Sequence, residues 1–218
     1  MEELKPNEQR AKNATILIWI VLIMEIVAFV SHFFQYILLQ SAANGEAISM
    51  EYATSNDLRE RIIAIISLIV YLVSAFTFIQ WFRRAYFNLH LRVNLLSHNE
   101  GWAAGCWFVP ILNLYRPNQI MKEMFQETKQ FLKKNEISIN EGFTSIGLWW
   151  TLWIVNGFLG QFIFKYSMKA ETIDEFTIST IADMISNIIG IPLAIITIQM
   201  IKEYSNYETL LTKVEIIE

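Results

Sequence analysis

A single cysteine, Cys106, means that no disulfide can form within the chain, and no CxxC, HxxxH or HExxH spacing marks a metal site. The residue reads most simply as a small apolar side chain at an interface. Three histidines are scattered, His32 in an apolar run and His90 and His98 in a polar one, so a haem on His32 lacks an identifiable second axial ligand. No cofactor is therefore expected. Neither GxSxG nor a paired-aspartate motif occurs, which removes the serine hydrolase and intramembrane protease readings and leaves no complete catalytic motif. Lysines and arginines never gather into one dense patch, which excludes a nucleic-acid partner. Nor is there an internal repeat at a solenoid period.

What the sequence has in abundance is apolar side chains. Of 218 residues, 54% are hydrophobic and 14% aromatic, too apolar for an ordinary soluble domain of this size. Four runs, 14–39, 62–82, 146–164 and 178–201, each have roughly the 17 to 25 residues that a helix needs to cross a bilayer. The expected fold is an all-α membrane protein in which residues 1–218 form a single four-span domain. No room is left for a separate soluble domain. The first run is longer than a signal-peptide core, contains Glu25 and His32, and follows a tail of mixed charge. It reads as an anchor and not as a cleaved signal, although Ser41, Ala42 and Ala43 offer a small-residue site.

Sidedness follows from the lysines and arginines in the flanks. With four spans the flanks alternate, and thirteen basic residues fall on one side against four on the other, namely Arg59, Arg61, Lys165 and Lys169. Both termini and the loop 83–145 are therefore expected in the cytoplasm. The outer loops should be 40–61, with Asn44-Gly45 as a turn and Asn56-Asp57 as a cap for the second span, and 165–177. Gly157, Gly160, Gly190 and Pro192 are expected to interrupt spans three and four.

The middle loop carries most of the organisation. Trp81 and Tyr86 bracket Arg83 and Arg84 at the end of span two, as in an aromatic belt followed by phosphate-facing cations. Residues 101–114 are apolar for too short a stretch to span, and Pro110 and Asn113 fit a re-entrant or interfacial segment. From Pro117 a stripe of Met121, Met124, Phe125, Thr128, Phe131 and Leu132 recurs at three- and four-residue steps, with Lys122, Glu123, Gln126, Lys129 and Lys133 off the stripe. That pattern predicts an amphipathic helix ending near Asn135, lying on the membrane surface, packed on the spans or docked to a partner. A turn at 140–142 leads to span three.

Two sets of residues are candidates for function. Arg83, Arg84, Asn88, Trp107, Asn113 and Arg116 form an amide- and guanidinium-rich set beside tryptophans, suited to a lipid headgroup or a partner tail. Inside the spans, Glu25 and His32 lie about 10 Å apart on one helical face, continued by Tyr36. Ser67, Tyr71 and Ser74 answer on span two, Thr151, Asn156 and Gln161 on span three, and Asp183, Ser186, Asn187 and Gly190 on span four. Depth counting allows a Glu25, Tyr71, Asn156 cluster below a His32, Asp183 pair, either an ion or proton path or polar glue between helices.

The runs Trp81, Arg84, Ala85, Tyr86, Asn88 and Trp107, Phe108, Pro110, Ile111, Asn113, Leu114, Pro117, followed by Glu123, resemble the bacterial integral membrane family known as domain of unknown function 4328. This resemblance implies a multi-pass protein of the bacterial cytoplasmic (inner) membrane with no assigned activity. The leading expectation for function is a non-enzymatic scaffold or accessory protein that binds membrane lipids or a protein partner through its cytoplasmic loop. The alternative is a small homo-oligomeric transporter or channel using Glu25, His32 and Asp183.

Overall fold

The structure, a computed structural model, describes residues 3–139, 142 and 145–217. Among the described residues the chain forms helices α1 (Glu8–Ala43), α2 (Met50–His90), α3 (Trp102–Gly105), α4 (Arg116–Lys134), α5 (Ile146–Ser167) and α6 (Ile173–Ile217), a 3-10 turn at Leu112–Leu114, and no strand. Four of them, α1, α2, α5 and α6, are long and apolar enough to cross a membrane. With 36, 41 and 45 residues, α1, α2 and α6 reach roughly 54 Å or more at 1.5 Å per residue, well beyond the ~30 Å of a hydrocarbon core.

Helix ends follow local chemistry. Gly45, at φ 81°, takes the left-handed position after α1, and the Glu46 and Gly45 N–H groups donate to the Ser41 and Ala42 carbonyls, closing its last turn. At the start of α2 the Tyr52 N–H donates to Ser49 Oγ. A reciprocal box opens α6: the Glu175 N–H donates to Thr172 Oγ1 while Glu175 Oε2 accepts from the Thr172 N–H.

These ends correct several expectations. Asn56 does not cap the second span, because Ser49 starts the helix earlier and nothing between 50 and 61 is glycine or proline to stop it. Asn56 instead sits buried within α2, where its Oδ1 accepts from Arg59 Nη2 at 2.6 Å. The two connections are accordingly shorter than 40–61 and 165–177, and α2 carries Arg83 to His90 as helix and not as loop. Gly157 and Gly160 lie within α5, and Gly190 and Pro192 within α6, without ending either helix. The turn expected at 140–142 falls mostly outside the described residues.

The fold comprises two compact units. Unit 2, Trp19–Leu72 and Thr151–Ile195, holds the middle of the apolar helices. Its outward side chains are apolar, with Ile23, Leu68, Ile69, Leu72, Phe158 and Ile188 each more than half exposed, while its buried positions include Ser31, Asn56, Ser179, Thr180 and Asn187 beside the small residues Ala28, Ala182 and Ala194. Polar and small inside with apolar outside is how helices pack when the surroundings are as apolar as leucine.

Unit 1, Met1–Ile18, Val73–Trp150 and Ile196–Glu218, is packed the other way. Trp81, Phe82, Tyr86 and Leu89 of α2, Ile120, Met121, Met124 and Leu132 of α4, and Met200, Ile201, Tyr204 and Leu211 of α6 have no exposed surface. Aromatic rings meet edge-on, Trp81 with Tyr204 at 6.2 Å and Phe125 with Tyr207 at 5.9 Å. Helix α4 starts with Pro117 in its first turn, where the missing N–H costs nothing, and is followed by Asn135. Its side chains Met121, Met124, Phe125, Thr128 and Leu132 are buried in unit 1, so the stripe read from the sequence is spent on the protein's own helices.

Gly190 tests the packing of unit 2. A Cβ there would lie 2.6 Å from the Glu25 carboxyl carbon, whereas one at Gly157 would meet open space. Gly190→Ala must push the Glu25 carboxylate off Asn187 and should lower the unfolding midpoint of the detergent-solubilised protein, by an amount equivalent to about 1–3 kcal/mol. Gly157→Ala should leave that midpoint unchanged or raise it.

Candidate functional site

At the centre of unit 1 a carboxylate is buried among amides. Glu208 of α6 accepts from Asn7 Nδ2 at 2.9 Å on Oε2 and from Asn88 Nδ2 at 2.8 Å on Oε1. Asn88 also holds the backbone of Lys5 from both sides, accepting from its N–H at 3.0 Å and donating to its carbonyl at 2.9 Å. The Asn7 amide reaches the Trp81 carbonyl as well. Asn88 was a candidate ligand contact, but its side chain is fully engaged in tying the N-terminal segment to α2 and α6, because a buried carboxylate without donors would be costly.

This tie fixes cations around the end of α2. Lys5 Nζ sits 4.2 Å from the centre of the Phe87 ring, and the Arg84 guanidinium faces the same ring at 5.8 Å. Arg10 donates from Nη1 to the Gln80 carbonyl at 3.2 Å. Arg83 pairs with Glu100 at 3.8 Å. Among the described residues, the charged ends of Lys5, Arg10 and Arg84 have no carboxylate partner within salt-bridge distance. Partial burial, then the neighbouring charges of Arg10 and Arg83, lower the Arg84 guanidinium from its ordinary value, while Glu100 and Glu208 act the other way.

The segment between α2 and α4 surrounds a set of tryptophans. Trp107 is placed by edge-on contacts with Phe78, Phe82 and Trp150, and its Nε1 donates to the Ala103 carbonyl. Trp150 donates to the Leu114 carbonyl at 3.0 Å. Arg116 lies 5.4 Å from the Trp102 ring centre and 5.8 Å from that of Tyr115. The Asn113 N–H donates to the Val109 carbonyl, inside a reversal where Ile111 adopts φ 69°, an outlier for a β-branched residue. At that reversal Phe108 and Ile111 are 76% and 72% exposed, an apolar tip left uncovered among the described residues. Arg83 is exposed but paired with Glu100, Arg84 and Arg116 are half-buried, and Asn88 and much of Trp107 belong to the interior.

Below this segment α4 is latched. Glu123 accepts from the Tyr86 hydroxyl at 2.6 Å and from the Ser97 N–H at 2.6 Å. Burial pushes its carboxyl up, but these hydrogen bonds and the His98 charge outweigh it and hold the group below its ordinary 4.5.

In unit 2 the intramembrane candidates connect differently from the expected clusters. Asn187 Nδ2 donates to Glu25 Oε2 at 2.8 Å, and Asn187 Oδ1 lies 3.0 Å from His32 Nδ1. The other ring nitrogen of His32 is 3.4 Å from Glu60 Oε2. Glu60 in turn accepts from Ser31 Oγ at 2.6 Å and pairs with Arg59. Asp183 stands within electrostatic reach of His32 and Glu60, and Tyr71 within reach of Glu25. Asn156 is elsewhere, accepting from Ser186 Oγ at 2.8 Å.

Sequence reading missed Lys5, Arg10, Glu60 and Glu208. Glu60 was hidden because 40–61 read as loop, and Glu208 because it follows the last apolar run. Helical spacing held the remaining signal, since Glu208 lies seven residues beyond Ile201 and four beyond Tyr204, on the buried face.

Glu123→Gln should lower the unfolding midpoint at neutral pH. Because the folded-state value is depressed, the contribution is present above 4.5 and lost as pH falls through the folded value. The gap between wild type and variant in thermal scans should therefore close in acid and stay constant from about pH 6 upward.

No curated protein and no solved structure matches the chain. Residues 44–206, which contain Trp81, Tyr86, Asn88, Trp107 and Glu123, match a family described as Domain of unknown function (DUF4328). Three quarters of the chain is thereby covered, and the protein belongs to that family.

Proposed function

We propose that this is a non-enzymatic, multi-pass protein of the bacterial cytoplasmic membrane that binds lipid through the segment following α2, acting as a scaffold or accessory subunit. Both termini and residues 83–145 lie in the cytoplasm on this reading, which the distribution of lysine and arginine supports. The observation that carries it is the exposed apolar tip at Phe108, Val109 and Ile111, in a segment too short to span and flanked by Arg83, Arg84 and Arg116. An apolar tip in a segment that also carries Trp102, Trp107 and Arg116 suits the boundary between acyl chains and phosphates. The strained φ at Ile111 fits a reversal held in place for use. Residues 101–115 then form an interfacial segment with its tip in the lipid, and α4 is the shelf on which it rests.

A second reading, a small homo-oligomeric transporter or channel, draws on the line from Glu25 through Asn187 and His32 to Glu60. Asn187 weakens it, because a side-chain amide bridges two groups without readily passing a proton between them. On that reading Glu25→Gln abolishes flux in proteoliposomes while assembly persists.

Spin labels at residues 108 and 111, placed in a Cys106→Ser background and read in lipid nanodiscs, test the leading reading. Collision with oxygen should dominate over collision with a water-soluble nickel chelate at both sites. Dominant nickel accessibility at both would place the tip in water and end the interfacial reading.

A further inference from the structure

We propose that Lys5, Arg10 and Arg84 form a binding site for a phosphate ester at the end of α2, with the Phe87 ring as its floor. It rests on the lipid-binding reading for its surroundings, and adds the ligand chemistry and two residues from the N-terminal segment.

Four observations converge on it. First, the N-terminal segment is not a loose tail: Asn88 grips the Lys5 backbone through both its N–H and its carbonyl, and Asn7 is anchored on Glu208. Lys5 is thereby delivered to a fixed place. Second, that place is the Phe87 ring, which Arg84 also faces, so an ammonium and a guanidinium share one aromatic surface. Third, Arg10 is pinned by its bond to the Gln80 carbonyl, and the fields of Arg10 and Arg83 both reach Arg84. Fourth, the two carboxylates whose charges reach Arg84 are shared with other groups, Glu208 with the Asn7 and Asn88 amides and Glu100 with Arg83, and among the described residues neither pairs directly with Lys5, Arg10 or Arg84.

The cations Lys5, Arg10, Arg83 and Arg84 outnumber Glu100 and Glu208, the two carboxylates whose charges reach Arg84, so the rigid frame holds an excess of positive charge that an entering anion relieves. A guanidinium with free N–H donors suits two oxygens of a phosphate, and an ammonium beside it supplies a point charge to a third. The position, just after the apolar run 62–82, is at headgroup depth for a lipid phosphate. A soluble phosphate ester has the same recognisable chemistry, so the two sources must be separated by measurement.

The full-length protein is placed in nanodiscs of phosphatidylcholine with or without phosphatidylglycerol, and retained lipid is counted by native mass spectrometry. Wild type is compared with Lys5→Ala, Arg84→Ala and, as a control cation on the exposed side of α4, Lys134→Ala. Phosphatidylglycerol should be retained by wild type and by Lys134→Ala, with affinity reduced about tenfold in each of the other two variants. Equal retention in all four, or equal loss in the control, overturns the site. Addition of glycerol 1-phosphate separates the sources: no displacement assigns the site to lipid, and displacement at low concentration assigns it to a soluble ester. Hydrogen exchange on the wild type needs no variant. Phosphatidylglycerol should slow exchange at residues 5–10 and 80–88, and unchanged exchange in both stretches rejects the proposal. Failure here leaves the spin-label result at residues 108 and 111 standing, and a water-exposed tip there leaves this site standing.

Discussion

Glu208 is a carboxylate with only 9% of its surface exposed, and much of unit 1 is arranged to satisfy it. Two amides, Asn7 and Asn88, supply its donors, and because one comes from before α1 and the other from α2, satisfying Glu208 on α6 draws three parts of the chain together. Asn88 then uses its remaining capacity on the backbone of Lys5. A buried charge stripped of one donor costs several kcal/mol. One electrostatic requirement therefore positions the N-terminal segment, and with it the cations around Phe87.

Around that polar centre the aromatic residues do the packing. Trp81, Tyr204, Phe125 and Tyr207 close the space between α2, α4 and α6, and Tyr86 crosses to Glu123 to latch α4. Because α4 spends its apolar stripe on this core, little of that stripe is left for a partner. The apolar surface that does remain exposed nearby, at Phe108 and Ile111, is consequently the more informative one.

Unit 2 obeys the same rule under different surroundings. Its polar side chains, Glu25, Asn187, His32, Glu60, Ser31 and Arg59, are linked to one another, and its outward faces are aliphatic. Where no water can hydrogen-bond, each polar group must find a partner within the protein. Gly190 makes room for Glu25 at the cost of helix propensity, which shows how closely these groups are fitted.

The helical class, the four apolar helices and the existence of α4 were legible in the amino-acid order, because length, hydropathy and period are properties of a chain read one window at a time. The same order also carried the family, whose match runs over residues 44–206. Helix ends were less legible: Ser49 and Thr172 set them through one or two local hydrogen bonds each, and polar stretches that continue a helix look like loops. What the polar residues do became visible once the helices were packed together. Asn88 reads as a surface ligand until Glu208, 120 positions away, is seen to claim it, and Lys5 reads as a tail charge until Asn88 fixes it over Phe87. Partners so far apart leave no periodic trace, since a hydrogen bond depends on where two helices meet and not on the spacing within either.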